Sequence, residues 1–291
     1  MTARSYLYVP GDQPDKLAKA VGRGADAIIV DLEDAVAFSS KATARRITSE
    51  WLRAQAEAGP EIWVRINNHE DLMADDINAV VGEGLTGLYI PKADGPDAID
   101  AVAQLVSAAA AHQDPGIGSI KLGALIETAR GVQAVDRIAA HRGLTELAIG
   151  EADLGAELGI RASPDEREWL AIRSRVLVAC AAAGIKPPVG PVSVDFRDLD
   201  AFRASTEGLK RMGFRSRPAV HPAQVAVIND VFTPTAGEAT AARLLVADYD
   251  TAVAEGRGVI LDPQGRMVDE ATVREARRIL RLVAVTGELD S

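Results

Sequence analysis

The chain has 291 residues, with 32 Lys and Arg against 42 Asp and Glu, a net charge of −10 and a pI near 5.0. So acidic a chain argues against nucleic acid or another polyanion as partner. Hydrophobic residues make up 47% and charged residues 25%, which excludes disordered and fibrous classes and leaves enough apolar side chain for a full core. The single cysteine, Cys180, sits in the aliphatic run VLVACAAAG. It reads as a buried structural thiol, forms no intrachain disulfide, and fits a reducing compartment. The opening MTARSYLYVPGD has no apolar segment of signal-peptide length, and no uncharged stretch reaches the roughly 20 residues that span a bilayer. A cytoplasmic protein with no membrane contact is expected.

In chain order, short β-rich apolar runs alternate with longer Ala-rich helical stretches. Strands are expected at 5–9, 27–31, 61–66, 85–90, 121–126, 146–149, 188–194 and 217–220. Helices are expected between them at 12–22, 41–58, 75–82, 96–111, 128–140, 165–184 and 199–212, several of them opening after Pro or Asp and closing on Gly. About eight alternations in this length fit an α/β fold of the TIM (β/α)8 barrel type better than an open doubly wound sheet. No GxGxxG follows an expected strand, so a Rossmann domain lacks its phosphate fingerprint. The barrel is expected over residues 1–222. Residues 223–291 then read as a C-terminal extension: a helix over 234–255, a DPQG turn between GVIL and RMV forming a hairpin, and a last helix to about Val285. This extension is expected to pack on the barrel or on another subunit.

Barrel active sites form at the C-terminal ends of the strands. Those ends carry Pro10 and Gly11, then Asp31, Glu33 and Asp34, then Arg65 and Asn67, then Lys92, Glu127, Glu151 with Asp153, Asp195 and His221. Glu127 follows the apolar run GALI directly and Asp153 follows ELAIG, which suits a hard cation such as Mg²⁺, although acids in these places also begin helices. Arg65, in WVRIN, could grip a substrate carboxylate or stabilise an oxyanion, or balance the neighbouring acids, or do both. Lys92 could form a Schiff base, but beside Pro91 and Asp94 it reads as a charge-paired lysine. His221, just before Pro222, reads as a structural residue.

The segments RSYLYVPGD, DLEDAVA, WVRIN, YIPKAD, LIETARGV, IGEADLGAELG, AVHPAQV and NDVFTPTAGE occur in that order over nearly the whole chain. Together they resemble the citrate lyase β-subunit-like proteins within the malyl-CoA lyase and HpcH/HpaI aldolase superfamily. The resemblance implies a Mg²⁺-dependent barrel enzyme that cleaves or makes a carbon–carbon bond beside a CoA thioester. It implies Glu127 and Asp153 as metal ligands, and Arg65 together with Glu127 as substrate-binding residues. Glu33 and Asp34 then steady the arginine or the metal-bound waters from behind. It also implies a homotrimer in which Asp269, in PQGRMVDEA, is lent by a neighbouring subunit as the catalytic acid/base. On pattern alone Asp269 reads as the N-cap of the last helix. Phe38, Ala152 and Ala271 depart from the family's usual residues at their positions.

The implied substrates are a 3-hydroxyacyl-CoA such as citramalyl-CoA or malyl-CoA, and a 2-oxo acid, pyruvate or glyoxylate. Alternatives are an aldolase on free 2-oxo acids, or a β-subunit of a multienzyme citrate lyase acting on a carrier-bound citryl thioester. Sequence does not assign the CoA-binding residues; Lys16, Lys19, Arg215 and Arg217 are candidates for its phosphates, each of which also reads as solvated surface charge.

Overall fold

The computed structural model describes residues 3–55, 59–111 and 119–286. Residues 56–58 of the expected second helix and residues 287–291 of the extension lie outside them.

Seven strands form one parallel sheet: β1 (Ser5–Pro10), β2 (Ala27–Asp31), β3 (Glu61–Arg65), β4 (Gly87–Ile90), β5 (Lys121–Ile126), β6 (Leu144–Ile149) and β7 (Arg217–Ala219). Their order is β6-β5-β4-β3-β2-β1-β7. The eighth place, expected as a strand over 188–194, holds an irregular segment with a single bridge between Ala148 and Val189. The Val189 N–H donates to the Leu147 carbonyl at 2.8 Å and the Ile149 N–H to the Val189 carbonyl at 3.2 Å. On its other side the Gly190 N–H donates to the Ser216 carbonyl at 2.9 Å, beside β7. Pro187, Pro188 and Pro191 have no N–H to donate, so this segment cannot sustain a ladder. The curled sheet is thus a TIM-like barrel whose eighth strand is reduced to those few bonds.

The intervening helices are α1 (Pro14–Ala20), α2 (Lys41–Arg53), α3 (Glu70–Val80), α4 (Pro96–Ala110), α5 (Ala129–Ala139), α6 (Glu151–Leu158), α7 (Leu170–Ala183) and α8 (Leu199–Met212). Helix α3 starts before residue 75 because Glu70 and Asp71 supply its acidic first turn, while Asp76 is buried inside it, 2.7 Å from Arg45. Helix α7 starts later than residue 165, after a 3₁₀ turn over Arg167–Trp169. The unforeseen α6, of 8 residues, is too short for apolar periodicity to declare it.

Alternate side chains on the strands fill the barrel: Tyr6, Ala27, Ile29, Trp63, Tyr89, Leu125, Ala148 and Val189 are all buried there. Gly87 makes room for one of them, since a Cβ on it would stand 2.5 Å from the Trp63 ring. Low in the barrel, Glu146 accepts a hydrogen bond from Tyr6 at 3.2 Å and another from Tyr89, and pairs with Lys186. These partners satisfy a carboxylate that burial would otherwise penalise.

The chain divides into two compact units, one reaching to Asn229 and one from Asp230 onward; the division falls inside α9 (Pro222–Phe232). In the second unit, α10 (Ala236–Ala254) opens on a capping box between Thr235 and Glu238. The hairpin β8 (Ile260–Leu261) and β9 (Met267–Val268) follows, with Gly265 at φ +77 in its turn, and then α11 (Glu270–Thr286). Tyr249, Val268 and Val273 are the centre of this unit's apolar cluster. Among the described residues no helix is long and apolar enough to cross a membrane.

Candidate active site

Because strand side chains alternate, the positions that fill the barrel continue in step to its C-terminal rim. Two residues beyond Tyr6, Ile29, Trp63 and Leu125 stand Tyr8, Asp31, Arg65 and Glu127. All four line a cavity of about 750 Å³, together with Asp34, Gly150 and Asp153. The residues expected at the strand ends are thus brought together on the inner face of the barrel mouth.

Arg65 is fixed from one side. Its Nε and Nη2 donate to the two oxygens of Asp31 at 2.8 and 2.6 Å, a bidentate pair, and Nη1 lies 3.0 Å from Glu33. Burial opposes its charge, but the hydrogen bonds and charge of Asp31 outweigh it and hold the guanidinium above its ordinary value. The Tyr8 ring lies 5.3 Å from the guanidinium carbon. Asp31 also accepts the backbone N–H groups of Glu33 and Ala35 at 2.9 and 3.1 Å, which folds DLEDA back over the rim. Asp31 therefore steadies the arginine more directly than the two acids singled out from sequence. Of those, Glu33 is buried against Arg65 and Lys92, whereas Asp34 is 3.9 Å from Arg65 and half-exposed. Asp31 was among the strand-end acids that the sequence sets against Arg65; the same strand parity marks Tyr8, which sequence reading passed over.

Glu127 directly follows β5 and is 3% exposed. Its Oε1 accepts the Lys92 backbone N–H at 2.8 Å, and its other oxygen lies against Gly150, where a Cβ would come within 2.5 Å. Burial first, then the charge of Glu33, push its carboxyl up to about 7; the Lys92 N–H, Arg65 and the Lys92 charge pull the other way. Asp153 occupies the first turn of α6 with its Oδ2 3.4 Å from the Lys92 ammonium. Glu151, two residues earlier, is taken by Arg173 at 2.6 and 2.8 Å. Lys92 contacts Glu33, lies 3.6 Å from Asp34, and stands at φ +50, a backbone region costly for a residue with a Cβ. Burial lowers its affinity for the proton, but the hydrogen bond it donates to Glu33 more than restores it. An amine held charged in this way is a poor Schiff-base nucleophile.

Five carboxylates, Asp31, Glu33, Asp34, Glu127 and Asp153, thus face two cations, Arg65 and Lys92. Among the described residues no three acidic, His or Cys side chains converge as a complete cage for an ion. Mg²⁺ does not need one, since it takes one or two carboxylates and completes its shell with water and substrate oxygens. The donor set fits such an ion: all-oxygen, anionic in excess, with a buried Glu127 that lacks a full counter-charge.

The other expected residues separate. His221 lines the cavity but stacks on Phe196, with ring centres 4.8 Å apart, and accepts the Ala223 N–H at 3.2 Å, a structural role. Lys16 and Lys19 stand on the cavity wall with Arg23, which sequence reading passed over. Arg217 is buried and bonded to Pro191, Ser205 and Thr206, and Arg215 to the Lys210 and Phe214 carbonyls, so neither lines the cavity. Burial pushes the Cys180 thiol up to about 12, as an inert core thiol requires. Asp269 belongs to the second unit, where its Oδ1 accepts the Thr272 N–H at 3.0 Å and hydroxyl at 3.2 Å, the N-cap expected from pattern.

The family model described as HpcH/HpaI aldolase/citrate lyase matches residues 4–222. The chain belongs to this family. It is accordingly an enzyme of the carbon–carbon lyase class. As a member of the HpcH/HpaI aldolase/citrate lyase family it is 35% identical to a (3S)-malyl-CoA thioesterase of Cereibacter sphaeroides, over 95% of this chain and 93% of that one. It is 31% identical to an L-malyl-CoA/β-methylmalyl-CoA lyase of the same species, over 96% and 93%. The crystal structure of CitE from Mycobacterium tuberculosis in complex with magnesium, acetoacetate and coenzyme A superposes with a TM-score of 0.79 at 28% identity, covering 96% of this chain and 97% of that one.

Proposed function

We propose that this protein is a Mg²⁺-dependent lyase that cleaves, or forms, a 3-hydroxyacyl-CoA of the citramalyl-CoA or malyl-CoA type. The products of cleavage are acetyl-CoA and a 2-oxo acid, pyruvate or glyoxylate. The observation that carries the reading is one cavity in which a rigid guanidinium, Arg65, faces a buried and undercompensated carboxylate, Glu127. The magnesium, acetoacetate and coenzyme A of the M. tuberculosis CitE complex, and the malyl-CoA lyase relative, support it.

Glu127 and Asp153 would hold the metal, which when bound acts as a Lewis acid on the oxygens of the 2-oxo acid. Arg65 donates hydrogen bonds to the oxygen on which charge develops, and Asp31 and Glu33 keep its plane fixed so that no reorganisation is needed. Lys16, Lys19 and Arg23, exposed on the cavity wall and with no ion-pair partner among the described residues, meet the CoA phosphates. Asp269 of the partner subunit, in a homotrimer, takes the α-proton of acetyl-CoA in condensation and returns a proton to the enolate in cleavage. Its bonds from the Thr272 N–H and hydroxyl both fall on Oδ1.

Incubation of the purified protein with Mg²⁺ and racemic citramalyl-CoA or malyl-CoA tests the proposal. Release of acetyl-CoA with pyruvate or glyoxylate supports it; no cleavage of either, with Mg²⁺ bound, moves the chemistry to free acids or a carrier-bound substrate. Hydrolysis of the thioester is a second reading, favoured by the 35% identity to the malyl-CoA thioesterase. It would release free CoA instead.

A further inference from the structure

Lys92 touches every carboxylate of the site except Asp31. Its backbone N–H binds Glu127 at 2.8 Å, its ammonium contacts Glu33, and it lies 3.6 Å from Asp34 and 3.4 Å from Asp153. It reaches them from the turn after β4, midway between the ends of β2 and β6 in the strand order, so its side chain spans the barrel mouth. The left-handed backbone at φ +50 performs both tasks, and glycine would adopt it without strain. A lysine kept where glycine is easier points to a use for the side chain.

We infer that Lys92 is a positioning residue that assigns the carboxylates: its ammonium occupies Glu33 and Asp34 and screens Asp153, confining an entering Mg²⁺ to Glu127 and Asp153. The inference rests on the metal-binding part of the proposed function. Two consequences follow from elementary electrostatics. The metal-free cluster is held together by an internal cation and does not fly apart by like-charge repulsion. The same cation repels the metal, so the site binds Mg²⁺ less tightly than its acids alone would. A metal held loosely is one that can exchange ligands as substrate oxygens arrive and products leave.

The experiment is a calorimetric titration of the metal-free protein with MgCl₂, comparing wild type, Lys92→Met, Lys92→Gln and Lys92→Arg. Both neutral variants keep the backbone N–H to Glu127; glutamine also keeps a donor for Glu33 and serves if the methionine variant does not fold. The expected result is Mg²⁺ binding roughly tenfold or more tighter in the neutral variants, with Lys92→Arg close to wild type. Tighter binding cannot come from structural damage, which loosens a site. Equal or weaker binding in a folded neutral variant overturns the inference. Absence of Mg²⁺ binding in the wild type, by contrast, overturns the metal reading on which it stands, and a Glu127→Gln titration locates the ion.

Discussion

Arg65 and Glu127 are pulled in opposite directions by the same burial. The arginine keeps its charge because Asp31 grips it with two hydrogen bonds, whereas Glu127 has one backbone N–H and more distant cations. Lysine cannot reproduce the bidentate fork. Arg65→Lys should therefore lower kcat for thioester cleavage roughly 100- to 1,000-fold, read by steady-state kinetics; an unchanged kcat would remove Arg65 from the chemistry. Glu127 makes a pH prediction for the metal-free protein. With its folded value near 7 against an ordinary 4.5, the folded chain keeps a proton that the unfolded chain has lost. That contribution to stability is complete below about pH 4.5 and is lost as the pH rises to about 7. Denaturant melts in chelator should show wild type losing up to roughly 3 kcal/mol across this window, and Glu127→Gln losing less. Parallel curves for the two proteins would contradict the assignment. Both residues were legible in the sequence because each ends a strongly β-patterned run. Asp31 was legible as an acid balancing Arg65 and Tyr8 shares its strand parity, whereas the reach of Lys92 depends on which strands lie side by side.

At the scale of elements, the alternation of strands and helices declared the barrel, and seven of the eight expected strands appear as regular strands close to their expected places, the last of them, β7, short. The segment 188–194 did not form a strand because its prolines cannot donate, a property visible in the sequence but outweighed there by its valines. Helix α6 is missing from the expected helices for want of length, but the alternative that Asp153 begins a helix holds, since it stands in the first turn of α6. At the far end of the chain, Asp269 begins α11 and carries two proposed roles that substitution can separate. Asparagine is as good an N-cap as aspartate, so Asp269→Asn should keep wild-type stability while losing the acid/base. Asp269→Ala should lose both, with a lower thermal midpoint than the asparagine variant. Thermal melts beside activity assays check this; an active Asp269→Asn would leave only the cap.

For the whole molecule, the ordered motifs identified the family, and the metal pair and the partnership between subunits that they imply are proposals that variants can test. If Asp269 serves a neighbouring subunit, Glu127→Gln and Asp269→Asn are each inactive alone but regain activity when mixed and reassembled, because some sites then combine an intact Glu127 with an intact Asp269. Mixed trimers that stay inactive would place both residues in service of one chain. The central claim, carbon–carbon cleavage of a CoA thioester at this barrel mouth, is tested most directly by counting products. Malyl-CoA or citramalyl-CoA, Mg²⁺ and the purified protein should yield acetyl-CoA and 2-oxo acid in equal amounts, with no free CoA and no turnover by Glu127→Gln. Free CoA with the hydroxy acid intact, or cleavage undiminished in Glu127→Gln, would contradict it.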